Sequence, residues 1–574
     1  MKNFRLFILP LIGVVAGLLA YGLWSRPNAQ PIDAEGFSAE RVVRDIENIA
    51  QTHHSVAHPV ERAKVREYLT ARLKGLGADT IALFEYKNLV GPENKHAVYT
   101  FDAVNILAEF ASPKSQEATK LMFIAHYDSR YSQPVPPRDT VWSYGAADDG
   151  YGVGVTLETL NLALKYRDKW QQGVKVLFTD AEEVGMMGMR AMWEQNREQF
   201  DDVGFVINLE ARGPNGPALL FETSAGNERI MELYDQQALS PFTYSLTTVV
   251  YSFMPNFTDF TIIKDTLPGV NFSTIADINH YHTDLDNLDN INPKSIQHYG
   301  AQVVPMVEQY LCDPKYSDKS YLCAENNNTS FTIPLLGLFR FSSKGYLWLN
   351  IAIFALVLGL ITLDSLRGRA SIKQVGVRAL GALGAALAVA VLGFAATYIC
   401  CLIADVPFKL FGMVRGMFFD NVAMVAMAAV MAIATTAIYM SGRAKRLQSV
   451  TSLRESAKGA MAATFATNNL YGVMVVQMVL SVALLAAIGE NMMFFITLSV
   501  ATLAMVLYRT THLKVWLVLG IGIVLLHTLS FLYALSMALT IGAYGVVLML
   551  AFLDVLAIIP LADLYLAKSD NFAV

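Results

Sequence analysis

The sequence predicts an α/β globular domain, with a mixed, mainly parallel central sheet and helices on both faces, plus an all-α multispan transmembrane domain. Three observations carry that expectation. The 574 residues are 54% hydrophobic and only 16% charged, a balance shifted toward membrane proteins. The apolar excess lies before Ser25 and after Gly345, whereas the stretch from Arg26 to Asn328 is rich in charges, turns and amphipathic patterns. Inside that stretch, short β-branched runs alternate with helical periodicity, which argues for α/β layering. The expected organisation is an N-terminal anchor over 1–25, a globular domain over 26–315, a linker or interfacial segment over 316–344, and about seven transmembrane helices over 345–574.

In chain order, the first apolar run, 6–24, follows Lys2 and Arg5. That layout suits a signal peptide or a signal anchor, and its length favours an uncleaved anchor. A buried strand is expected over 121–125, a helix over 151–166, a strand over 174–179, a helix over 185–197 and a strand over 204–209. Seven further candidate spans begin near Gly345, Leu380, Val422, Leu470, Met492, Val515 and Leu539. With the N-terminus in the cytoplasm, eight crossings bring the basic loops to the cytoplasmic side. Those loops carry Arg367, Arg369, Lys373 and Arg378, then Arg443, Lys445, Arg446, Arg454 and Lys458, then Arg509 and Lys514. The globular domain then sits outside, in the periplasm of a bacterial inner membrane or in the lumen of an endomembrane. A net charge of -5 with no basic block in the globular part excludes nucleic acid as a partner and leaves the lipid bilayer. The sequence carries no signal for an oligomeric state. Cys312 and Cys323 are the cysteine pair of the outer segment and are expected to form a disulfide. Cys400 and Cys401 fall in a span, as packing residues.

Each buried run ends in a polar cluster. The first leads into His126 and Asp128, the second into Asp180, Glu182 and Glu183, and the third into Glu210. Ligands of open α/β sheets bind at the carboxyl ends of the strands, so the clusters should converge on one crevice together with Asp148 and His282. So many carboxylates in one place repel one another and are costly to desolvate; cations offset both effects. Imidazole and carboxylate without thiolate suit zinc or another divalent first-row metal. Two such ions can activate water and polarise a carbonyl together, provided one carboxylate stays free to shuttle a proton. Adjacent Glu182 and Glu183, at a strand-to-helix turn, are suited to divide those duties.

The series His126-Tyr-Asp128-Ser, Gly145-Ala-Ala-Asp148-Asp149-Gly150-Tyr-Gly152, Asp180-Ala-Glu182-Glu183-Val-Gly185, Asn208-Leu-Glu210 and Tyr281-His282-Thr283 resembles the aminopeptidase S and aminopeptidase Y family of co-catalytic zinc exopeptidases. The match runs from about Ala39 to Tyr310, and an anchor with a multispan C-terminal region is similar to the membrane-bound branch of that family. The resemblance implies a zinc-exopeptidase fold, two zinc ions per chain and a peptide substrate. It implies that Asp148 bridges the ions, with His126 and Glu210 completing one site and Glu183 and His282 the other. Glu182 is then the general base, Asp128 supports His126 by a hydrogen bond, and Tyr281 stabilises the oxyanion. It also implies a cis peptide at Asp148-Asp149. One departure is Glu210, where many members have Asp.

The single-zinc glutaminyl cyclases share the His-Tyr-Asp-Ser stretch, but they usually lack the second carboxylate of Asp148-Asp149 and carry Trp before the final His-Thr. A third reading is a receptor or transporter whose outer domain binds peptide without cutting it. His53, His54 and His58 have no accompanying carboxylate spacing that would suit a metal. Sequons occur at Asn256, Asn271 and Asn327. Gln477, His527, Asp554 and Asp563 are polar groups in apolar spans, where helix packing is the expected role.

Overall fold

The computed structural model describes residues 2–24, 27–91, 100–115, 117–131, 133–135, 138–254, 256–410, 455–539 and 541–567. Its chain divides into two compact units, one of residues 25–332 and 337–343, the other of residues 1–24, 333–336 and 344–574.

The first unit is built on strands β1 (Thr80–Val90), β2 (Thr100–Phe110), β3 (Lys120–His126), β4 (Gln133–Val135), β5 (Arg138–Val141), β6 (Gly173–Thr179), β7 (Val203–Ala211), β8 (Leu219–Thr223) and β9 (Gly269–Thr274). Seven of these form a sheet in the order β1-β2-β6-β3-β7-β9-β8, and β4 and β5 form a separate hairpin. The four inner strands are parallel, from β6 through β3 and β7 to β9. Antiparallel pairs close both edges. All residues of β3, β6 and β7 are buried, as strands covered on both faces must be.

The strand period of two divides their side chains between two cores. Leu121, Phe123 and Ala125 join one cluster, with residues of the helices Ala39–Ile49, Pro59–Gly75, Gly150–Ala163 and Pro293–Cys312. Met122 and Ile124 join the other, with Met189, Met192 and Phe260. Helices therefore cover both faces of a mixed, mainly parallel sheet. Strands β1, β2, β8 and β9 had no assignment from the sequence, and β1, β2 and β8 add the antiparallel pairs of that mixture. The segment 316–344, expected as a linker, contains the hairpin strands Asn328–Ile333 and Gly337–Ser342. Phe331 in that hairpin forms a β-bridge with Tyr244.

The expected disulfide is corrected: Cys312 and Cys323 are both free thiols, Cys312 as the last residue of the helix Pro293–Cys312 and Cys323 just past a turn. The sequon at Asn271 is unusable in the folded chain, because Asn271 is fully buried in β9 with its amide bonded to Glu222 and Thr258.

Among the described residues of the second unit, six helices are long and apolar enough to cross a membrane: Ser343–Leu366, Ile372–Ala404, Met461–Ile488, Met492–Thr511, Val515–Ala538 and Ile541–Leu566. These make the chain an integral membrane protein. They correspond to six of the seven C-terminal spans read from the sequence; the one near Val422, and the basic residues Arg443, Lys445, Arg446 and Arg454, lie outside the described residues. The N-terminal helix Lys2–Trp24 contains the apolar stretch Leu11–Ala20. Some polar groups inside these helices pair with one another. Tyr471 donates to Asp364 at 2.7 Å, Arg509 Nη2 lies 2.7 Å from the same carboxylate oxygen, and Thr528 donates to Asp554 at 2.7 Å.

Candidate metal centre

Four loops at the carboxyl ends of the parallel strands build the site. His126 is the last residue of β3 and Glu210 lies at the end of β7. Asp148 and Asp149 precede the helix Gly150–Ala163, with the expected cis peptide between them. Asp149 caps that helix, its Oδ1 accepting from Gly152 N at 2.9 Å and its Oδ2 from His126 N at 3.2 Å. One carboxylate thus satisfies a free helical N–H and ties the helix to the end of β3.

The turn after β6 presents Glu182 and Glu183. Ala181 and Met186, on either side of it, have φ of 59° and 57°, a left-handed conformation that non-glycine residues rarely adopt and that collects at functional sites. Glu182 remains partly exposed while Glu183 is buried. The carboxylate of Asp128 holds this turn, accepting from Glu182 N at 3.0 Å and Glu183 N at 3.3 Å. Asp128 also reaches His126 Nδ1, through its backbone oxygen at 3.0 Å and its carboxylate at 3.6 Å. The carboxylate distance is beyond a normal hydrogen bond, so the role implied for Asp128 is divided: backbone to the histidine, side chain to the two glutamates.

The five expected ligands come together. His126 Nε2 lies 3.1 Å from Asp148 Oδ1 and 3.8 Å from Glu210 Oε2. His282 Nε2 lies 3.2 Å from Asp148 Oδ2 and 3.0 Å from Glu183 Oε2. Asp148 therefore turns one oxygen to each histidine. Among the described residues two groups have ligand atoms close enough to hold a metal ion, His126 with Asp149 and Glu210, and Asp148 with Glu183 and His282. Asp149 here joins the first group, a position the sequence reading did not give it.

The electrostatics fit a cation. Burial pushes Glu182, Glu210 and Asp149 well above the usual carboxylate range, and neighbouring carboxylates push each further in the same direction. Burial opposes the charge on His126, yet Asp128 and Asp148 outweigh it and raise its pKa well above the usual value. Glu183 Oε1 is buried without a hydrogen-bond partner. Divalent ions would relieve the repulsion and complete that oxygen.

Several supporting residues had no sequence signal. Asp286 accepts from Ala147 N at 2.7 Å, Asp148 N at 3.4 Å and Ser143 Oγ at 2.9 Å, so it holds the loop that presents Asp148. Burial, and then the Asp148 carboxylate, push it up to about 7. Arg130 Nη1 lies 3.1 Å from Glu183 Oε2, and the Tyr281 ring stacks on His282 at 3.6 Å between centroids. His53 and His58 join Trp142 and Tyr144 in an aromatic group, outside both ligand groups.

Residues 105–307 match the model of Peptidase family M28. This segment resembles the peptidases of that family. Endoplasmic reticulum metallopeptidase 1 of Mus musculus is 27% identical over 212 residues, 36% of this chain and 22% of that protein. The vacuolar membrane protease of Candida dubliniensis is 27% identical over 261 residues, 44% of this chain and 26% of that protein. The chain thus spans about a quarter of the length of these relatives. A glutaminyl cyclase structure from Porphyromonas gingivalis aligns at 20% identity over 48% of this chain and 100% of its own, with a TM-score of 0.39. The M28 match begins at β2 and ends within the helix Pro293–Cys312, so it includes every residue of the two ligand groups.

Proposed function

We propose that this protein is a membrane-anchored metallo-exopeptidase that uses two zinc ions to remove N-terminal residues from peptides outside the cytoplasm. The observation that carries the reading is the division of Asp148 between His126 and His282, each backed by a further carboxylate, with Glu182 beside them and outside both groups. His126, Asp148 and Glu210 would hold one ion, and Asp148, Glu183 and His282 the other. When bound, such ions supply Lewis acidity for carbonyl polarisation and water activation.

The side chains supply the rest. Glu182, raised by burial and by its carboxylate neighbours, takes a proton at its carboxylate from the attacking water and returns it to the departing amine. The Tyr281 hydroxyl donates to the oxygen that gains charge. The acidic rim receives the free α-amino group of the peptide. The basic loops 367–378 and 509–514 support placing the M28 domain on the outer face, in the periplasm if the membrane is a bacterial inner one.

The test is metal quantification on the purified protein together with cleavage of a peptide library. Two zinc ions per chain and release of N-terminal residues are expected. One ion per chain with cyclisation of N-terminal glutamine would make it a glutaminyl cyclase, and metal binding without turnover of any peptide would leave a receptor.

A further inference from the structure

The two halves of the site differ by one charge. Residues 128–130, just past the end of β3, grip the turn that carries Glu182 and Glu183. The Asp128 carboxylate accepts from both glutamate N–H groups, and Arg130 Nη1 donates to Glu183 O and to Glu183 Oε2, the latter at 3.1 Å. That Oε2 also lies 3.0 Å from His282 Nε2, so the oxygen that faces the histidine already carries a guanidinium. The bond to the main chain fixes Arg130 where it is. Its enclosure leaves it little room to turn away, since 23% of the side chain is exposed and Nε is buried.

The half around His126 has no such neighbour. Glu210 Oε1 accepts from the neutral amide of Asn208 at 3.1 Å, and Oε2 faces His126 Nε2 at 3.8 Å. Asp149, in the same group, accepts from the backbone N–H groups of His126 and Gly152. Among the described residues, no lysine or arginine pairs with Glu210 or Asp149. Asp148 turns one oxygen to each half and so does not distinguish them.

We propose that Arg130 makes the Glu183–His282 position the weaker of the two, so that it takes up zinc last and gives it up first. The inference rests on the two-zinc reading and adds to it the order of loading. An arginine keeps its proton at any pH the protein meets, so its charge opposes a cation held by either oxygen of the Glu183 carboxylate. Its hydrogen bond to that carboxylate works the other way, because a bond that orients a ligand is worth about tenfold to a hundredfold in metal affinity. Repulsion between a unit charge and a divalent ion on neighbouring groups outweighs that factor even at an effective dielectric constant of about 20. The charge therefore decides the sign.

The experiment titrates zinc into the full-length, metal-depleted protein in detergent, with a chromophoric chelator as competitor, and reads stoichiometry and affinity. Wild type should bind two ions with dissociation constants about tenfold or more apart. His282→Ala should remove the weaker constant and leave one ion bound with the tighter. Arg130→Gln, which keeps a donor and removes the charge, should tighten the weaker constant by about tenfold or more and leave the tighter one unchanged. Arg130→Lys, which keeps the charge, should keep the two apart. Two equal constants in wild type would overturn the inference. So would loss of the tighter constant in His282→Ala, or a weaker constant that Arg130→Gln leaves unchanged or weakens further. The wild-type and His282→Ala titrations stand whether or not the Arg130 variants fold. A wild-type protein that binds fewer than two ions would instead overturn the two-zinc reading beneath it.

Discussion

Glu182 and Glu183 are chemically identical neighbours, and their surroundings separate them. Glu183 is buried against His282 and Arg130, whereas Glu182 keeps a partly exposed side chain. The left-handed Ala181 and Met186 and the Asp128 clamp hold the turn that divides them. Glu182→Gln should therefore reduce kcat by about 10²-fold to 10⁴-fold while zinc content, measured by mass spectrometry, stays at the wild-type level. Retention of full activity would remove Glu182 as the base. The metal reading has its own check in thermal unfolding. Removal of zinc by a chelator restores the repulsion among Asp148, Glu182, Glu183 and Glu210, so the apparent Tm should fall and recover on adding zinc back, rising with its concentration. A Tm indifferent to zinc would argue against ions at this site. At this scale the sequence marked the acidic and imidazole residues that the fold brings together, because their motif places them at strand ends. Asp286 was not readable. It reads as one acid in a polar loop, and its contact with the Asp148 loop spans 138 residues of chain.

At the scale of elements, the helix Gly150–Ala163 is positioned by Asp149, and Gly152 is the residue that lets it approach. A Cβ on Gly152 would lie 2.4 Å and 2.5 Å from the Asp149 carboxylate oxygens and 2.7 Å from Leu209 O. Gly152→Ala should displace the cap and the neighbouring Asp148, destabilising the M28 unit by about 1–3 kcal/mol and lowering metal affinity. An unchanged melting curve and metal titration would show that the close approach is dispensable. Among the membrane helices, Asp364 is held by Tyr471 and Arg509, which come from two other helices. Arg509→Met leaves that buried carboxylate with only Arg369, 4.0 Å away, as a cation, and should lower the Tm in detergent more than the double change Asp364→Asn with Arg509→Met. Helix and strand periods marked β3, β6, β7 and the crossover helix. Strand β1 escaped because it is exposed at most positions, which leaves no apolar alternation to read.

For the whole M28 unit, one ionic group at the amino ends of the parallel strands sets a pH dependence away from the metal centre. Lys120 lies 2.8 Å from Asp202 and 2.6 Å from Glu109, and Lys175 lies 2.7 Å from Asp202. Burial alone would raise the Asp202 pKa, but the two lysines outweigh it and hold it below the usual range. Its contribution is therefore present above the unfolded value of about 3.9 and is lost as the pH falls through the lower folded value. Lys120 works in the opposite sense. Burial opposes its charge, Asp202 and Glu109 raise it, and its contribution is present below about pH 10.4 and lost as the pH rises through the higher folded value. Asp202→Asn should flatten the acid limb of the Tm profile below about pH 4. A profile parallel to wild type would show that the group contributes nothing there.

Hydrophobic patterning and the spacing of acidic and imidazole residues were enough to determine that the chain pairs an α/β domain with membrane helices, and which side chains could meet a metal. Those properties are local, since they depend on periodicity along one strand or helix and on side-chain chemistry at its end. Only the tertiary structure decided that Asp128 clamps the two glutamates, that Asp286 carries the Asp148 loop, that Asn271 is sealed in a strand and that Cys312 and Cys323 stay apart. Each of these depends on which distant loops a seven-stranded crossover order brings together, and that order is set by packing over the whole sheet.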